Sequence, residues 1–162
     1  MRRKPLLAVL GAAALASAVF TAVSLAGGSK PTTGTTMHLI EHDQSFNFVP
    51  VAPGPRKGHA AKPGDTGTFT NYLTTTSGAR VGHTYASCVA TTGGENPALQ
   101  CQGTFVLPGG TITGSSLILS QDNTRQRIAI LGGTGAYEGA RGSILSVTKT
   151  ATTSVDTVHL LP

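Results

Sequence analysis

The sequence predicts an all-β domain. From residue 67 onward, short runs rich in Thr, Val and Ile recur at close, fairly even intervals; Gly, Pro and Asn punctuate them, and no helical period competes. A chain of 162 residues with 21 Gly, 9 Pro, no Trp and only 12% charged residues suits one domain with a modest core. The candidate strands are residues 37–49, 68–75, 80–91, 99–107, 111–120, 127–131, 141–150 and 154–161. That many strands suffice to close a sheet on itself and remove its edges. A two-sheet sandwich fits the same composition, so spacing alone leaves barrel and sandwich both open.

Arg2, Arg3 and Lys4 precede an apolar run over residues 6–25, which is broken by Gly11, Ser17, Thr21 and Ser24 and followed by Ala26 and a glycine pair. This is the three-part build of a secretory signal peptide, expected to occupy 1–26. The competing reading is a retained membrane anchor, since the run is near the lower length limit for spanning a bilayer. The paired arginines also fit the twin-arginine export route. Residues 27–36 are small, polar and breaker-rich and read as a flexible tether, leaving 37–162 as the folded, secreted domain, with no stable membrane span after cleavage. The full chain carries a formal charge of +5, but without the leader nine basic residues face seven acidic ones. The remaining cations are scattered, and no basic stripe alternates with stacking aromatics, so no nucleic-acid partner is expected.

The first strand candidate, 37–49, alternates imperfectly between apolar and polar residues. The stretch 50–64 holds Pro50, Pro53, Pro55 and Pro63 and reads as an exposed loop, because proline cannot donate to a central ladder. Strand parity puts Leu99, Cys101, Phe105 and Leu107 on one face and Gln100, Gln102 and Thr104 on the other. In an exported chain the two cysteines, Cys88 and Cys101, are expected to form a disulfide. Neighbouring antiparallel strands joined by the loop containing Gly93, Gly94, Asn96 and Pro97 bring them within bridging reach. Reactive thiols or a metal site are the alternatives, and no ligand-spaced partner lies nearby. Among the histidines, His38, His42, His59, His83 and His159, the i, i+4 pair needs a helix to converge on a metal, so no metal site is expected. No G-x-S-x-G elbow or recognisable triad order argues for a hydrolase.

Two segments carry a family resemblance. Residues 63–91 contain Gly64, Asp65, then Phe69, Thr70 and Asn71, a turn, Val81 and Gly82, and a strand with Cys88; residues 132–142 read GGTGAYEGARG. Together these forty or so residues resemble the allene oxide cyclase and dirigent superfamily. The second segment is similar to a glycine-rich turn in which close backbone approach lets a compact corner form with Tyr137 packed across it. A phosphate-cradling reading of its glycines lacks the third spacing and a following helix.

The resemblance implies an eight-stranded antiparallel β-barrel with lipocalin-like closure, an apolar interior cavity and, in much of the family, a homotrimer. It implies an activity in which the cavity steers the shape of a reactive substrate during cyclisation or coupling. Aligning the first strand on Glu41, His42 and Asp43 puts His38 where the plant cyclases hold a polarising glutamate and Ile40 where they hold an asparagine. Asn71 matches a water-binding asparagine, Cys88 a pocket cysteine, and Ser116 lies near the position of a substrate-facing tyrosine. The expected catalytic residues are therefore His38 and Glu41, since a histidine titrating near neutrality in an apolar barrel suits general acid–base work. The expected ligand contacts are Asn71, Tyr85, Phe69, Ser116 and Phe105.

The expected function is that of a secreted barrel binding a small lipophilic, apolar or polyunsaturated molecule and directing its cyclisation or coupling by confinement, an isomerase-type activity with no cofactor implied. The alternative is a non-catalytic ligand-carrying or structural module. Bulky inward residues filling the interior mark the module, and an open interior marks the ligand binder.

Overall fold

A computed structural model describes residues 34–51, 60–119 and 124–162. The expected leader, most of the tether and most of the proline-rich loop lie outside them. The described chain forms eight strands: β1 (Thr35–Val49), β2 (Thr66–Thr75), β3 (Arg80–Ala90), β4 (Ala98–Leu107), β5 (Gly110–Leu119), β6 (Arg125–Gly135), β7 (Gly142–Thr150) and β8 (Thr153–Leu160). Each pairs antiparallel with the next, and β1 pairs with β8, so the sheet closes into an up-and-down barrel. This closure excludes the sandwich.

Each expected strand has a counterpart. β1 starts at Thr35, two residues inside the expected tether, because Thr35 and Thr36 still have partners in Leu160 and His159. β6 extends to Gly135, well beyond the expected end at 131. Glycine is needed at Gly133 because the backbone there is crowded: a Cβ would lie 2.5 Å from the carbonyl oxygens of both Thr111 and Tyr137. The corner expected over 132–142 is thus the end of a strand followed by a turn at 136–139, with Tyr137 packed against the core.

The interior is divided between two ends. At one, Leu39, Leu73, Phe105, Leu107, Ile112, Ile130, Ile144 and Val158 form the buried apolar core, and Tyr137 and Ala140 of the glycine corner pack against it. Removing such side chains from water is the dominant stabilising term in a domain of this size. At the other end no described side chain plugs the space between the walls. There a bulge between Asp43 and Ser45 lets β1 run on beside β2, where Phe46 packs on Phe69 with ring centroids 4.9 Å apart. The Gly64–Asp65 pair anchors this region: buried Asp65 accepts hydrogen bonds from the backbone N–H of Val51 at 2.9 Å and of Lys62 at 2.8 Å. The conspicuous acidic residue of that segment therefore ties down the loop entering β2.

Candidate functional site in the open end of the barrel

The unplugged half of the barrel holds a cavity of about 320 Å³. Its volume arises largely from residues with little or no side chain. Ala86, Gly103 and Gly114 lie side by side on β3, β4 and β5 and form a thin wall facing inward. A Cβ on Gly114 would sit 2.7 Å from the Ile128 side chain, so the strands approach too closely there for anything larger. Phe69 and Ile118 line the cavity toward the mouth, and Phe105 lines it where it meets the core.

Cys88 and Cys101 are register partners on β3 and β4, joined as a disulfide, and both line the cavity. The expected inward face of β4 is the observed one: Cys101, Phe105 and Leu107 are buried, whereas Gln100 and Gln102 are exposed. The disulfide thus belongs to the cavity wall as well as to the frame.

Strand parity on β1 decides which of its polar groups enter the barrel. Leu39 is buried in the core, and Glu41 and Asp43 line the cavity. His38 falls on the opposite face, exposed, with its Nδ1 3.4 Å from the Thr157 hydroxyl on the outer surface of β8. His42 also faces outward, stacked on Tyr72 at 4.5 Å beneath the Arg80 guanidinium. Tyr85 is 51% exposed on the outer face of β3, near His83. Of the expected site residues, Glu41, Asn71, Phe69, Ser116 and Phe105 are brought together in the cavity. His38 and Tyr85 are not. The family alignment of the first strand passes over this parity: His38 and Ile40 occupy outward positions, and the inward carboxylate is Glu41.

Asn71 donates from Nδ2 to Glu41 Oε1 at 2.9 Å, which orients that carboxylate within the cavity. Directly beside Asn71 in the β2–β3 register is Thr84, which lines the cavity; its hydroxyl is buried and has no hydrogen-bond partner among the described residues.

The residue that sequence reading missed is Asp156. It sits on β8 beside Leu39, between cavity-lining Ser154 and core Val158, and is completely buried. Burial raises its carboxyl from the usual 3.8 to about 7, and the nearby charge of Glu41 adds to the rise, while the Ser146 hydroxyl opposes it. Ser146 and Glu41 are the polar groups presented to it, yet neither carboxyl oxygen completes a hydrogen bond of good geometry. The sequence signal was faint, because Val155 and Val158 make both faces of β8 look apolar and hide which one Asp156 joins.

The sequence profile of the Dirigent-like protein family matches residues 34–161. The chain belongs to the dirigent-like family. No curated protein sequence matches it significantly. Among solved structures, this dirigent-like barrel is similar to a pyocyanin demethylase, at 24% identity and a TM-score of 0.64, covering 77% of this chain and 99% of that one. It is similar to a pterocarpan synthase dirigent protein, at 20% identity and a TM-score of 0.66, covering 80% and 96%. It is also similar to a nonspecific haem-binding cyclase that catalyses a cycloaddition during neoabyssomicin biosynthesis, at 16% identity and a TM-score of 0.65, covering 82% and 68%. At these identities the likeness establishes the shared barrel and nothing further about the site.

Among the described residues no helix is long and apolar enough to cross a membrane, and no group of three or more His, Cys, Asp or Glu is placed to hold a metal ion.

Proposed function

We propose that this protein binds a small molecule with an apolar body in the open end of its barrel and directs that molecule's cyclisation or coupling, mainly by confinement. The observation that carries this reading is the division of the interior. A packed apolar end gives the barrel a rigid floor, and the other end keeps a cavity of about 320 Å³, the lower part of the usual range for small-molecule sites. A reactive ligand held there loses translational and torsional freedom before it reacts, which is a sufficient source of rate and of product selectivity without strong acid–base chemistry. Two of the structural neighbours, the pterocarpan synthase dirigent protein and the cycloaddition-catalysing cyclase, support the same reading.

Within this proposal Glu41 polarises the bound molecule, Asn71 fixes the orientation of that carboxylate, and Asp156 donates or withdraws a proton near neutral pH. Phe69, Phe105 and Ser116 contact the ligand. Secretion belongs to the proposal and is supported by the Cys88–Cys101 disulfide, which suits an oxidising compartment. A homotrimer belongs to it through family resemblance. The test is native mass spectrometry of the protein purified from its own host. A trimer carrying a discrete small molecule is the expected result. A species that leaves the host without cargo and takes up no member of a panel of polyunsaturated and polycyclic compounds overturns the reading in favour of a structural module.

A further inference from the structure

The groups that line the cavity are of one electrostatic kind. Glu41 and Asp43 line it from β1, and Asp156 lies behind Glu41 on β8, completely buried and outside the lining, whereas none of the described lining residues is Lys, Arg or His. The other strands present only uncharged groups to this base: Asn71 from β2, Thr84 from β3, Ser116 from β5, Gln126 from β6 and Ser146 from β7. A second observation points to an absent partner. Thr84 lines the cavity, is 5% exposed, and its buried hydroxyl meets no hydrogen-bond partner among the described residues. A buried hydroxyl in a native fold is rarely left unpaired when its site is occupied.

We propose that the ligand of this cavity carries a cationic, amine-type head held at the Glu41 carboxylate, which buried Asp156 backs, with the ligand's apolar body pointing toward Phe69 and Ile118 at the mouth. The inference rests on the small-molecule reading above and names the chemical class of that molecule. An ammonium group has N–H donors and no acceptor, which complements a base built from carboxylates and a free hydroxyl. An anionic head in the same place faces two or three like charges in a medium of reduced dielectric, where such repulsion is strong. A neutral head meets neither attraction nor repulsion of that size.

The physical linkage is with pH. In the empty cavity Asp156 titrates near 7 because burial and the Glu41 charge disfavour its ionised form. A cation at Glu41 offsets the charge that helps raise Asp156, so binding favours release of a proton wherever Asp156 is protonated beforehand, and affinity rises as pH is raised from 6 to 8. An aliphatic amine stays cationic throughout that window.

The test uses three probes with one body and three heads: 4-phenylbutylamine, 4-phenylbutanol and 4-phenylbutanoate, titrated calorimetrically into the whole protein at pH 8 and pH 6. The amine is expected to bind about tenfold more tightly than the alcohol, with the carboxylate weakest, as one well-placed charge pair allows. Its affinity is expected to fall about tenfold from pH 8 to pH 6, with buffer-dependent heats reporting proton release at pH 6. In Asp156→Asn the preference for amine over alcohol should shrink and its pH dependence disappear. If the alcohol or the carboxylate binds as tightly as the amine, the charge inference is overturned and small-molecule binding survives. If none of the three binds, the inference and the small-molecule reading fall together.

Discussion

Asn71 Nδ2 lies 2.9 Å from Glu41 Oε1, joining two residues thirty positions apart in sequence across the β1–β2 ladder and inside the barrel. The bond gives the Glu41 carboxylate one fixed orientation at the cavity, and Asn71 is itself buried, so the pair is held by the barrel wall. Asn71→Ala should weaken ligand binding through a misdirected Glu41 while the barrel still folds, at a cost of about 1–2 kcal/mol for the lost hydrogen bond. Calorimetric titration of a cavity ligand together with thermal melting measures both effects. Unaltered affinity in the variant removes Asn71 from the site.

The Cys88–Cys101 bridge closes a loop with a sequence separation of 13 between directly paired strands. Constraining the unfolded chain in this way contributes about 3 kcal/mol in the chain-entropy account. Replacing both cysteines with alanine should lower the melting temperature by roughly 10 °C. Melting that matches the wild type in scanning calorimetry assigns the disulfide no stabilising role.

Asp156 makes stability depend on pH in a stated direction. Its folded-state value, about 7, stands above the usual 3.8, so the folded protein holds this proton after the unfolded chain has released it. The resulting stabilisation is complete below 3.8 and declines as pH rises, until it is lost above about 7. The full swing is on the order of 4 kcal/mol. Asp156→Asn removes this titration, so the variant should gain melting temperature relative to wild type most at pH 8, by a smaller margin at pH 5, and little or nothing below 3.8. Parallel melting curves for the two proteins across that range, with a constant offset, contradict the assignment.

Ala86 belongs to the thin wall and faces the cavity beside Gly103. Ala86→Leu should project its extra carbons into open volume, not into the packed core, so the usual overpacking penalty of about 1–3 kcal/mol should be largely avoided. Binding of any cavity ligand should fall at least tenfold with the melting temperature nearly unchanged. A variant that binds like wild type places the ligand somewhere other than this cavity.

Particular residues show where the sequence was readable. Alternation along residues 99–107 gave the inward face of β4 and the position of Cys101, because a regular strand has a side-chain period of two and its apolar and polar sets are distinct. Residues 37–49 were harder, since Ile40 and Leu39 make both faces partly apolar, and the alignment that favoured His38 ran against the parity that turns Glu41 inward. The glycine corner was read as a turn because glycine ordinarily weakens a strand, whereas here Gly133 continues β6 where Thr111 and Tyr137 leave no room for a side chain.

Composition, breaker spacing and strand periodicity therefore determined an all-β domain and the count of its strands, the two cysteines of an exported chain named the disulfide, and two motif segments carried the family likeness, all of which are local or pairwise properties of the chain. Barrel closure, the division into a packed and an open end, and the meeting of Glu41 with Asn71 and Asp156 were decided by tertiary structure alone. Those features depend on how β1 returns to β8, and a carboxyl acquires an unusual proton affinity only when strands distant in sequence enclose it away from water.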